Sequence, residues 1–215
     1  MKRLITVLLF VIVVMVSCQK ENNNNNNNII IPTPTQTPSP MGAVGTTFAI
    51  TPVQDVSNVT IAITESVNNV STVHMTGTVD DLALRAILKV DENGNFDTER
   101  KFKFTMEGIT DYVFNNTSRP FTLVDYDWQV GDSTYVSYDN DNVIDSIVVR
   151  KVVARSNNDD YYWGGMYIKT MTIEERHGGF TITYRANHKF GIVYLGVQFA
   201  SNIRETQLES SVYNF

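Results

Sequence analysis

From Phe180 to Asn187 the chain alternates without a break. Phe180, Ile182, Tyr184 and Ala186 share one face, and Thr181, Thr183, Arg185 and Asn187 share the other. A strand repeats every two residues and a helix every 3.6, so this segment can be a half-buried strand but not an amphipathic helix. The same period places Val193, Leu195, Val197 and Phe199 opposite Tyr194, Gly196, Gln198 and Ala200. In Leu84–Asp91 the even positions are apolar and the odd ones, Ile87 excepted, are charged. That alternation predicts a strand there rather than a helix over 81–90 capped by Asp80 or Asp81. Further strands are predicted at 46–51, 58–65, 70–79, 100–107, 121–127, 133–138, 143–155 and 166–176.

Turn formers separate these runs. Asp91-Glu92-Asn93-Gly94-Asn95 carries an Asn-Gly hairpin signal. Asp139–Asn142, Asn157–Asp160 and His177-Gly178-Gly179 are further breaks. Strands joined in sequence by short turns imply an all-β, antiparallel meander over 46–215, closed as a barrel or stacked as a sandwich. Asn115–Pro120 is a softer break that divides the domain near 118, with room for two β lobes.

The N-terminus is of another kind. Lys2 and Arg3 precede an almost unbroken apolar run, Leu4–Val16, and small Ser17 stands before Cys18, the only cysteine of the chain. A run of thirteen residues falls short of the roughly 20 that span a bilayer as a helix. Residues 1–17 therefore read as a secretory signal that is removed. With no second cysteine, Cys18 has no intramolecular disulfide open to it. Asn22–Asn28 is an asparagine run, and Pro32, Pro34, Pro38 and Pro40 alternate largely with Thr and Ser. Such a composition cannot bury enough apolar surface to offset the entropy of ordering it. Residues 18–45 are thus expected to be a disordered tether, reaching about 80 Å if extended as polyproline II.

Met15-Val16-Ser17-Cys18 resembles the lipobox of bacterial lipoproteins, with Met15 where leucine is commonest. The resemblance implies acylation of Cys18 and anchoring to a membrane of the cell envelope, the outer membrane. Gln19-Lys20-Glu21 is similar to the short export signal of surface-exposed lipoproteins in the Bacteroidota, although that family usually shows more than one acid. It implies presentation to the outside medium; a periplasm-facing domain is the alternative. Asp132-Ser133-Thr134 and Asp145-Ser146-Ile147 resemble the O-glycosylation acceptor pattern of the same phylum, which implies modification at Ser133 and Ser146. Trp128–Tyr135 together with Phe190-Gly191-Ile192-Val193 is similar to secreted bacterial proteins of no established activity. That likeness covers about 75 residues and implies a β-meander.

Loss of Lys2 and Arg3 with the signal takes the formal net charge from −6 to −8. An acidic chain without a basic stripe argues against nucleic acid as a partner. The roughly 170 residues beyond the tether suffice for one sizeable core or two small ones, held by burial alone.

Few residues suggest chemistry. The acidic turns at Asp91–Asp97 and Asp139–Asp145 have the oxygens that calcium favours. A calcium loop counted from Asp91 or Asp139, however, puts Phe96 or Ile144 where glycine is required, and Phe102 or Arg150 where a carboxylate is required. Both read as hairpin turns, and no metal or other cofactor is expected. His74, His177 and His188 lack metal-ligand spacing. Glu175 and His177 share a strand face, with Glu174 and Arg176 on the other; this reads as a solvated edge. No nucleophile elbow, phosphate loop or Cys/His pair is present, so no catalytic residue is nominated.

Tyr161-Tyr162-Trp163 is the most unusual segment. Three consecutive aromatics on a strand cannot all enter one core, so at least one must face out. Exposed rings beside acids and amides suit a sugar, whose apolar face packs on the ring. The expectation is a tethered, non-enzymatic domain that binds a glycan or another envelope protein. A glycan- or lipid-acting hydrolase and a purely structural surface protein are the alternatives.

Overall fold

A computed structural model describes residues 36–88, 90–112, 115–140 and 143–213. The fold is antiparallel and nearly all β. One sheet has five strands in the order β2 (Val56–Val67), β3 (Val70–Val79), β4 (Asn95–Phe104), β5 (Gly108–Tyr112), β6 (Pro120–Asp125). The other has seven, ordered β1 (Phe48–Ile50), β14 (Asn202–Ser210), β13 (Gly191–Phe199), β12 (Phe180–Asn187), β11 (Met171–Arg176), β8 (Val143–Arg155), β7 (Ser133–Asn140). A two-stranded hairpin, β9 (Tyr161–Trp163) and β10 (Met166–Ile168), completes the set. No sheet closes into a barrel, and the two large sheets stack as a sandwich.

Their inner faces form one core. Ile63, Val73, Phe104, Ile109 and Leu123 of the first sheet pack with Val152, Met171, Ile173 and Ala186 of the second. The chain passes from one sheet to the other after Asp125, so the expected break near 118 separates strands within the first sheet rather than two lobes. At one edge the chain switches sheets. Gly45 and Thr46 hydrogen-bond Ile63 of β2, and Phe48–Ile50 pairs with β14 three residues on.

Several expectations need correction. Leu82–Leu88 is a two-turn helix, α1, inside the β3–β4 connection. Asp81 accepts the backbone N–H groups of Ala83 and Leu84 at 2.8 and 3.0 Å, an N-cap. Leu84 is buried. The alternation of 84–91 lost because β3 and β4 pair directly with each other, leaving this segment no strand partner. Gly94 consequently ends the α1–β4 turn and not a hairpin. Its φ is +88°, and a Cβ there would lie 2.4 Å from the Val79 carbonyl oxygen. The region 166–176 is two strands, broken at Lys169-Thr170. The folded part also begins before residue 46: Pro38 bridges Thr105, and Met41 is buried in the core against Gly191. Cys18, Gln19, Lys20 and Glu21 lie outside the described residues.

Candidate functional site

The β9–β10 hairpin shapes the most distinctive surface. Trp163 pairs with Met166 across Gly164-Gly165, whose φ values of +52° and +81° fit a two-residue turn needing two left-handed residues, a role glycine fills without strain. Period two then splits the aromatic trio. Trp163 points inward and is 1% exposed. Its ring lies 4.6 Å from Phe190, and its Nε1 donates to the Leu208 carbonyl at 2.8 Å. The structure thus removes Trp163 from the candidate binding surface and makes it the anchor of the hairpin.

Tyr161 is half-buried beside it. Gln207 Nε2 donates to the Tyr161 hydroxyl at 3.2 Å and to the Tyr162 carbonyl at 3.1 Å. The Arg185 guanidinium lies between two rings, 4.6 Å from that of Tyr161 and 5.1 Å from that of Tyr194. Burial pushes the Tyr161 hydroxyl pKa upward, so it stays a neutral hydrogen-bonding group. Tyr162 takes the opposite face. It is 57% exposed and meets its cross-strand partner, exposed Tyr167, edge to face at 5.4 Å.

Tyr162 forms one wall of an open cleft of about 630 Å³. The hairpin turn, Thr47 and Ala49 near the sheet edge, and Gln207, Glu209 and Ser210 of β14 line the rest, with Ser211 and Tyr213 following. Ser211 Oγ accepts from Thr47 N at 3.0 Å, and Ser211 N donates to the Thr47 carbonyl at 2.9 Å, closing the floor. Glu209 is the single charged residue of the lining. Hydroxyls, an amide, one carboxylate and a tyrosine ring converge on one concavity. This donor and acceptor set suits a neutral, hydroxyl-rich ligand.

A second polar group lies between the sheets. Arg150 of β8, 1% exposed, donates to Glu175 of β11 at 2.5 Å and to Asp111 of β5 at 2.7 Å. Arg100 of β4 reaches Asp111 at 3.3 Å, and His177 Nε2 lies 2.8 Å from the other Glu175 oxygen. Burial alone would raise the Glu175 carboxyl. The His177 hydrogen bond and the Arg150 charge overcome it and hold the pKa at about 2. Glu175 and His177 do share a face, but that face is the interior, contrary to the solvated edge expected. The solvated pair is Glu174 with Arg176, at 2.7 Å. With both Glu175 oxygens engaged, the group works as a cross-link between sheets.

Asp91 accepts the backbone N–H groups of Asn93 and Asn95 at 2.9 and 2.8 Å and so organises its own turn. No cluster among the described residues is placed to hold a metal ion. Ser133 is exposed at the start of edge strand β7, whereas the Ser146 side chain lies outside the described residues. Sequence reasoning missed Gln207, Glu209, Ser210 and Ser211, which belong to the unforeseen strand β14 and the residue after it. The Gly164-Gly165 turn signal was available to separate Tyr162 from Trp163. Comparison with protein-family models, with curated proteins and with solved structures finds no match.

Proposed function

We propose that this protein is a lipid-anchored cell-envelope protein whose β-sandwich binds a neutral glycan in the cleft beside Tyr162, without catalysis. The observation that carries the binding reading is the exposed Tyr162 ring, which lines one open concavity together with Gln207, Glu209 and Ser211. A sugar packs its apolar face on such a ring while hydroxyl, amide and carboxylate groups take its hydroxyls. The anchoring reading rests on Lys2, Arg3, Leu4–Val16 and Ser17-Cys18. Acyl chains on Cys18 would hold the domain at the outer membrane, and Lys20 and Glu21 support export to the outer face. A tethered domain gains effective concentration toward ligands near its own surface. Glycosylation at exposed Ser133 belongs to the same reading.

Intact-mass analysis of the mature protein tests the anchor. A mature chain that starts elsewhere, or carries no acyl mass at Cys18, would sink it. Neutral oligosaccharides titrated against the wild type and Tyr162→Ala test the cleft. Binding by the wild type alone is expected, and equal binding by both would remove Tyr162 from the site.

A further inference from the structure

The gap between the two sheets is not completely filled. A cavity of about 170 Å³ lies there, lined by Val73, Met75, Phe102, Ile109, Leu195 and Leu208 among other apolar side chains. A dry apolar cavity of about 150 Å³ accommodates a molecule the size of benzene, so this one holds about six carbons. Methionine in the wall lets it adjust to an occupant.

The cavity is unsealed at one end, which strand register identifies. Thr98 is paired with Met75, so both point into the gap, yet Thr98 is exposed and Met75 only half-buried. Arg100 stands on that same inward face, paired with Val73 and two residues from Phe102. Its side chain is 38% exposed. Its bonds to Asp111, 3.3 and 3.4 Å, are long, and Asp111 is shared with Arg150. The Arg100 Nε is buried and has no partner among the described residues. Arg100 is not itself among the residues that line the cavity, but strand register sets it beside Val73 and Phe102, which are, so a cation with a spare donor borders the apolar interior.

We propose that this cavity is a second ligand site, distinct from the Tyr162 cleft, and that it takes a short- to medium-chain carboxylic acid. The hydrocarbon tail fills the space between Val73, Ile109 and Leu195, and the carboxylate accepts from Arg100. A purely apolar ligand would leave the Arg100 donor unused. A longer chain would exceed the volume and leave its remaining carbons in water.

Isothermal titration of the full chain in lipid nanodiscs, with empty nanodiscs subtracted, tests this with butanoate, octanoate, dodecanoate, 1-octanol and benzene. Octanoate should bind best of the acids. It should bind more tightly than 1-octanol to the wild type, and Arg100→Gln should lose about tenfold of that preference while Arg100→Lys retains part of it. Leu195→Trp, and independently Met75→Phe, should fill the space and abolish octanoate binding, with circular dichroism confirming that each is folded. Absence of octanoate binding to the folded wild type overturns the proposal. So does octanoate binding unaffected by both filling variants, or an octanoate-to-octanol preference unchanged in Arg100→Gln. Selective binding of benzene overturns the acyl assignment. Tyr162→Ala should leave octanoate binding unchanged, so failure here is distinguishable from failure of the glycan reading.

Discussion

Replacing Arg150 with methionine should be among the most damaging single changes in the molecule, through charge rather than volume. Methionine keeps most of the side chain's length and removes the guanidinium. Arg150, Glu175 and Asp111 are 1%, 1% and 3% exposed, so water cannot replace the lost cation. Asp111 would keep its long contacts with Arg100, at 3.3 and 3.4 Å, and Glu175 its 2.8 Å contact with His177. Removing one member of a buried ionic cluster costs about 3–5 kcal/mol, a large part of a typical domain's 5–15 kcal/mol. For a domain of this size that is a fall in Tm of about 6–20 °C. The effect has a sign in pH. In the wild type the Glu175 pKa is depressed from 4.5 to about 2. Its stabilisation, roughly 3 kcal/mol, is fully present above pH 4.5 and is lost as pH falls from 4.5 toward 2. In Arg150→Met the carboxyl is buried with less compensation, so its pKa rises and the gap between variant and wild type narrows on acidification. Urea unfolding at pH 7 and pH 3 measures both effects. Adding Glu175→Gln and Asp111→Asn to the variant should recover most of the loss, because no unpaired carboxylate remains. A variant within 1 kcal/mol of wild type, or parallel pH curves, would refute the reasoning.

Trp163→Ala should cost about 3–5 kcal/mol in chemical denaturation, because the buried ring fastens the hairpin, whereas Tyr162→Ala should leave stability within about 0.5 kcal/mol. Met41→Ala should cost about 2–5 kcal/mol, and removal of residues 1–45 should cost at least as much; equal melting temperatures for that truncation and the full chain would show that residues 36–45 lie outside the fold. Gly108→Ala would place a Cβ 2.2 Å from the Val124 carbonyl oxygen, so it should lower Tm by forcing β5 and β6 apart, which a thermal melt reads directly.

Much of the fold was legible because a strand with one buried face carries its own period. Phe180–Asn187 and Val70–Val79 pack apolar side chains on one side, and their pattern says so. In Gly191–Phe199 a bulge opposite Arg185-Ala186 splits the expected face: Ile192 and Leu195 line the gap between the sheets, whereas Val193 packs with Trp163 and Phe190. The segments that escaped notice lacked that contrast. Strand β14 points Arg204, Thr206, Leu208 and Ser210 toward one face, and Thr206 is held by Thr51 through hydrogen bonds, so its polarity hides its burial. Strand β5 is short, and its Asp111 is buried only because Arg150 and Arg100 meet it from distant parts of the chain. No local pattern announces that pairing, and the same blindness made Glu175 and His177 look solvated. At 81–90 the alternation was real but misleading, since helix or strand was decided by whether a partner strand was free. For the site, the aromatic trio signalled an outward ring. Which ring required the Gly164-Gly165 turn, and its neighbours required the return of β14 alongside the hairpin.

The measurement that bears most directly on the binding claim is a glycan array probed with the wild type, Tyr162→Ala, Glu209→Gln and Tyr135→Ala. Tyr162 and Glu209 line the cleft, whereas Tyr135 is an exposed ring on the opposite edge strand of the same sheet. Recognition of neutral oligosaccharides by the wild type and Tyr135→Ala, lost in Tyr162→Ala and weakened in Glu209→Gln, is the result expected. No recognition by the wild type, or recognition that survives both cleft substitutions, would contradict the account.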